Sequence, residues 1–192
     1  MSISTPPAQT PRDRLVETAR GLFLRHGVPN VGINRVIAEA GVARMTLYNH
    51  FESKDDLVLA VFEQEAAIRR DSIVEMQAAL DGPYEKVLAL FTVALDLAGL
   101  EGFRGCAFLS LAIETAAPDG RLHELARRHK AWIRDNLASC LPAETFADPD
   151  RLAEQLLVLW DGGVVGAYVR QSPAPIQAAR DAARILMRGA LL

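Results

Sequence analysis

Ala43-Arg44-Met45-Thr46-Leu47-Tyr48-Asn49-His50-Phe51 is the stretch on which the reading of this 192-residue chain turns. At about 100° per residue, Leu47 and Phe51 share one edge of a helix, and Met45 and Asn49 lie nearly opposite, flanked by Arg44, Thr46 and His50. A helix this short has no stability of its own and has to be docked through its apolar edge. Leu47 and Phe51 are the residues to dock it. What remains outward is a guanidinium, two hydroxyls, an amide and an imidazole, a set able to reach phosphates and base edges in a DNA major groove together.

The preceding residues supply the rest of such a unit. Ile33–Ala40 is expected to be a short helix with Ile33, Val36, Ile37 and Ala40 inward, and Gly41 to close it with a positive φ. Val42 then fills the corner before the second helix. Helix, glycine turn and helix is the layout of a helix-turn-helix.

The run from Ile33 to Phe51, followed by Ser53-Lys54, closely resembles the DNA-binding domain of the TetR (tetracycline repressor) family. The matching signature is Gly41-Val42, then Thr46-Leu47-Tyr48, then His50-Phe51, then Lys54 opening the next helix. It covers about the first quarter of the chain; beyond it the similarity lies in the helical layout alone. The resemblance implies base-facing roles for Arg44, Met45 and Asn49, with Asn34 as a weaker candidate. It implies phosphate contacts for Thr46, Tyr48, His50 and Lys54. The chain departs from the family pattern at Val31-Gly32, where a Ser or Thr commonly caps the second helix. A small residue is also common in the family where Met45 stands. A half-buried ring that stiffens the helix is the competing reading of Tyr48.

Composition supports an all-α chain: half the residues are apolar, few are aromatic, and no alternation of β-branched residues recurs. The net charge of −3 argues against a protein that coats nucleic acid unspecifically. Residues 12–54 carry seven cations against four anions, leaving −6 on the rest of the chain. A mildly basic head on an acidic body suits a binder with few phosphate contacts. Cys106 and Cys140 make no disulfide framework and suit a reducing cytoplasm. Residues 1–9 read as a disordered polar tail without the features of a signal peptide. The apolar run Leu156 to Val169, interrupted by Asp161, is too short to span a bilayer.

About nine helices are expected. A first helix from Thr10-Pro11 to Gly27 carries Leu15, Ala19, Leu22 and Phe23 on one face, and residues 10–53 form the head. Ser53-Lys54-Asp55-Asp56 starts a long helix reaching Asp81-Gly82-Pro83, roughly 40 Å at about 1.5 Å per residue, and residues 54–192 form the body. Five more helical segments follow, and the last two, after Pro149 and after Pro173, are rich in Gly and Ala. Close approach of two such helices gives half of a symmetric four-helix dimer interface, as the resemblance also implies. Leu156, Trp160, Gly163, Ala167, Ile176, Ala179, Ala183 and Leu186 are the candidates for it. Packing of these helices within one monomer is the alternative.

The body holds no catalytic motif. Met76, Phe91, Phe103, Phe108, His129, Trp132, Trp160 and Tyr168 are candidates to line a small-molecule pocket, as effector pockets do in the family, with plain core packing the competing fate of each. His129, on an apolar stripe, could be a satisfied core histidine or a ligand contact. Cys106, behind Arg104, is weighed as a redox sensor, although only Arg104 is at hand to lower its pKa. No metal-ligand spacing links His123, His129 and the cysteines, and no metal or cofactor is expected. A helical enzyme would need a nucleophile with its base or paired carboxylates, and Glu114 alone makes no mechanism. A protein-binding adaptor is the third alternative. The reading carried forward is a cytoplasmic homodimer that binds a near-palindromic operator and answers to an unknown small effector.

Overall fold

Thr10 opens the first helix in the computed structural model, which describes residues 9–115 and 117–192. Its hydroxyl accepts from the Asp13 amide at 3.1 Å while the Asp13 carboxylate accepts from the Thr10 amide, and Pro11 takes a first-turn position where no amide is missed. Helix α1 runs Pro11–His26 and ends at Gly27, which has φ 81°. α2 covers Ile33–Ala40; Gly41 then turns the chain at φ 62°, ψ 39°, a left-handed conformation that a β-carbon would strain. α3 is the five-residue helix Arg44–Tyr48. α4 spans Lys54–Ala78, its first turn held by the Ser53 hydroxyl, which accepts from the Asp56 amide at 3.1 Å.

The other helices are α5 Pro83–Ala98, α6 Ala107–Glu114, α7 Arg121–Ser139, α8 Pro149–Arg170 and α9 Ala174–Gly189. Among the described residues there are thus nine helices and no strand, as the all-α reading expected; an isolated bridge joins Phe146 to Leu191. Residues 1–8 of the expected tail lie outside the described residues.

The chain divides into two compact units after Glu65, later than the expected boundary before Lys54. The first turns of α4 belong to the head because Leu57, Val58, Val61 and Phe62 are buried there. Glu65, 3% exposed, is held in that unit by the Arg20 guanidinium of α1, whose Nε donates to its carboxylate at 2.7 Å. A carboxylate so far out of water needs such a partner.

In the second unit Phe91, Ile133, Leu137, Phe146, Leu152 and Leu156 are buried in one apolar cluster, which α9 joins through Ala183 and Met187. α8 and α9 approach closely because Gly163 leaves room: a β-carbon there would stand 2.9 Å from that of Ala179 and 3.3 Å from the α-carbon of Ile176. α8 is longer than its apolar run suggested, and by length and mean hydropathy its 22 residues would suffice to cross a bilayer. Here Leu152, Ala153, Leu156, Gly163 and Ala167 spend one face of it inside the fold instead.

Candidate nucleic-acid interface

α3 is fixed by what lies beneath it. Leu47 is fully buried and Phe51 is 4% exposed, with the Arg12 guanidinium 5.5 Å from the Phe51 ring centroid. Leu47 also carries the local backbone, accepting from the Phe51 amide at 2.9 Å as the chain leaves the helix. The helix is shorter than the expected Ala43–Phe51: Asn49 is its C-cap, it forms a turn with His50, and Phe51 follows outside the helix. Shortening leaves the division of faces intact.

Arg44, Met45, Tyr48, Asn49 and His50 are exposed, Met45 to 68% and Tyr48 to 45%, while Thr46 is half-buried. Tyr48 is therefore no core ring. Arg44 lies one turn before it with its guanidinium 5.8 Å from the ring centroid, a cation–π contact that the i, i+4 spacing permits and sequence reading passed over. It orients both side chains without using the guanidinium's hydrogen-bond donors. Asn34 is exposed on α2. Gly32 caps α2 with no side-chain hydrogen bond, so the hydroxyl missing from the sequence is not replaced by another side chain.

Lys54 is placed differently from the other phosphate candidates. It is half-buried, and its ammonium donates to the Val28 carbonyl at 2.7 Å, tying the loop after α1 to the start of α4. An ammonium has three donors, so this staple leaves two. On α2, Arg35 is engaged with Glu39 at 2.8 Å and with the His26 ring at 3.2 Å.

The second unit spreads the eight pocket candidates rather than gathering them. Phe91 is fully buried in the main cluster, with Trp132 and Trp160 packed against it. Trp160 donates its indole N–H to the Leu90 carbonyl at 3.3 Å, and the Lys130 ammonium, paired with Asp161, sits 4.6 Å from the Trp160 ring centroid. Phe108 and His129 are together: both are buried, and their rings stack at 3.6 Å and 16°. Phe103 lines a separate pocket of about 310 Å³ with Glu101 and Gln171. Met76 is half-buried on α4, and Tyr168 is 36% exposed on α8.

His129 is not a satisfied core histidine. Burial, reinforced by the charges of Lys130, Arg69 and Arg70, lowers its pKa to about 3, so the ring is neutral, and its Nδ1 is buried without a hydrogen-bond partner. Both cysteines are free: Cys106 is buried at the N-cap of α6, and burial raises the thiol pKa of Cys140 at the end of α7. Among the described residues, no three His, Cys, Asp or Glu side chains gather as a metal site.

The expected dimer residues divide by burial. Leu156, Gly163, Ala167, Ile176, Ala179 and Ala183 are buried inside the protomer, so they have almost no surface left to offer a partner. They hold α8 to α9 and to the core. The free face of the same two helices is carried by Val158, 63% exposed, and Ile185, 71% exposed. With Leu159, Ala182 and Leu186 these line an apolar groove of about 490 Å³, bordered by Glu154 and Gln155. Of the eight candidates only Trp160 and Leu186 keep partial exposure.

A helix-turn-helix head with a polar face outward, followed by a helical body, defines the class of the molecule: a DNA-binding regulator of helical architecture. Residues 15–61 match the model of the bacterial regulatory proteins of the tetR family, and residues 83–183 match that of the tetracyclin repressor-like C-terminal domain. The chain belongs to the TetR family of transcriptional regulators. It is 30% identical to the transcriptional regulator AcuR of Cereibacter sphaeroides over 89% of this chain and 82% of that one. It is 24% identical to the transcriptional repressor DhaR of a Mycobacterium species over 88% of each chain. A TetR-family regulator from Streptomyces coelicolor, SCO4454, superposes with a TM-score of 0.86 at 30% identity, covering 94% of this chain and 89% of that chain.

Proposed function

We propose that the protein is a homodimeric, ligand-responsive repressor whose two heads engage successive major grooves of a near-palindromic operator. The observation that carries this reading is the polar face of α3, exposed while Leu47 and Phe51 are buried behind it. In it, Arg44 pairs with guanine, Asn49 with adenine and Met45 packs on a thymine methyl, with Asn34 beside them. Thr46, Tyr48, His50 and Lys54 meet phosphates and set the register. Lys54 does so with the donors its bond to Val28 leaves free.

The dimer forms through the apolar face of α8 and α9 around Val158 and Ile185, giving a two-fold interface of four helices. The second unit binds a small effector. Such an effector releases operator only by binding the two conformations with different affinity. The protein works in the cytoplasm, without catalysis and without a cofactor.

A gel-shift titration against the DNA flanking its own gene, at several salt concentrations, tests the core of this. A sequence-specific complex is expected, with affinity falling steeply as salt rises. Binding that does not distinguish this DNA from an unrelated duplex would refute it.

A further inference from the structure

We infer that the second unit carries a site for the carboxylate of a small organic acid, built on Arg70 of α4 and His129 of α7. The inference rests on the reading of that unit as effector-binding and names the chemical class of the effector. Its basis is two nitrogens, Arg70 Nε and His129 Nδ1, both buried and both without a hydrogen-bond partner. Folded proteins seldom leave such atoms unpaired unless something else meets them.

The two atoms belong to one place. His129 and Trp132 are three residues apart and share a face of α7, and the Arg70 guanidinium lies 5.6 Å from the Trp132 ring centroid. Phe108 stacks on the His129 ring, so two flat side chains, Phe108 and Trp132, flank the groups that carry the polar atoms. The His129 side chain is deeply buried, with only 2% of the residue exposed.

The local charge selects the ligand. The charged groups that act on His129 are Lys130, Arg69 and Arg70, all cationic. Lys130 is neutralised by Asp161, but Arg70 Nε meets no carboxylate. An imidazole held neutral in that field offers an N–H without adding charge, and Arg70 offers both a donor and a positive charge. A carboxylate takes one hydrogen bond from each, and a planar body attached to it lies against Trp132 and Phe108. A cationic or neutral ligand leaves the arginine charge uncompensated.

Benzoate and its neutral isostere benzamide serve as probes on the full-length protein. Benzoate is expected to raise the melting temperature and to bind in calorimetry, and benzamide to do neither at the same millimolar concentration. Arg70→Gln is expected to weaken benzoate at least roughly tenfold, and Arg70→Lys to recover part of the loss. In the wild-type protein, benzoate should shift the ring ¹⁵N signals of His129, a readout that needs no variant to fold.

Equal response to benzoate and benzamide, unchanged affinity in a folded Arg70→Gln protein, or His129 signals unmoved at millimolar benzoate would each overturn the site. Binding of benzoate to the wild type with the expected loss in Arg70→Gln supports it whether or not operator is released. Release of operator is measured separately, and operator binding without any probe tests the head.

Discussion

The protein has two outward faces of opposite chemistry. On α3 and the turn after it the exposed groups are Arg44, Tyr48, Asn49 and His50, with Met45 the one apolar side chain among them, and on α8 and α9 Val158 and Ile185 are each more than half exposed. The first face is well hydrated and can wait for a partner at little cost. The second gains free energy simply by being covered, about 25 cal/mol for each Å² of apolar surface removed from water. In the proposed regulator, specificity therefore belongs to the polar face, where hydrogen bonds must be matched, and assembly to the apolar one, where area is enough.

Charging the apolar face should produce the largest effect. Val158→Asp with Ile185→Asp is expected to give a monomer in sedimentation while leaving the helical content unchanged. Loss of the second head should cost roughly 10²-fold or more in operator affinity, since the heads then no longer bind as a linked pair. A double variant that stays dimeric would move the interface elsewhere.

The polar face depends on its hidden edge. Leu47→Ala removes a fully buried side chain and should destabilise the head by about 2–5 kcal/mol, read as early loss of helical signal and of operator binding together. Asn49→Ala sharpens the contrast. It should leave the melting temperature nearly unchanged and cost about 1–3 kcal/mol of discrimination at one base pair, measured against operators varied one position at a time. If every operator weakened equally, Asn49 would belong with the phosphate contacts.

The last effect concerns neither face. The folded pKa of His129 is depressed from 6.5 to about 3, so below pH 6.5 the unfolded chain takes up a proton that the folded one refuses. The stability that depends on the neutral ring is fully present above pH 6.5 and falls as pH drops toward 3, by at most about 1.4 kcal/mol per pH unit. Denaturant titrations at pH 7 and pH 5 should show the loss in the wild type and a smaller one in His129→Gln.

Legibility differed between the two units for a physical reason. The head could be read because its signals are local: the Thr10–Asp13 capping box, the positive φ of Gly41, and Leu47 and Phe51 on one helical edge all act within a few residues. The bond from Lys54 to Val28, 26 residues away, could not be read that way, nor could the pairing of Arg20 with Glu65. In the second unit helical spacing located the apolar stripes but not what each would face. Ile176, Ala179 and Ala183 have the small, apolar character of an interface and turned out to fill the contact with α8.

From its sequence alone the protein is an all-α chain with a helix-turn-helix near the front, because caps, glycine turns and helical periodicity are set by neighbours along the chain. Only the tertiary structure decided which side of α8 and α9 stays free, and that His129 and Arg70 come together with nitrogens unpaired. Burial is the work of residues distant in sequence, and a stripe of apolar side chains looks the same whether its own chain covers it or another does.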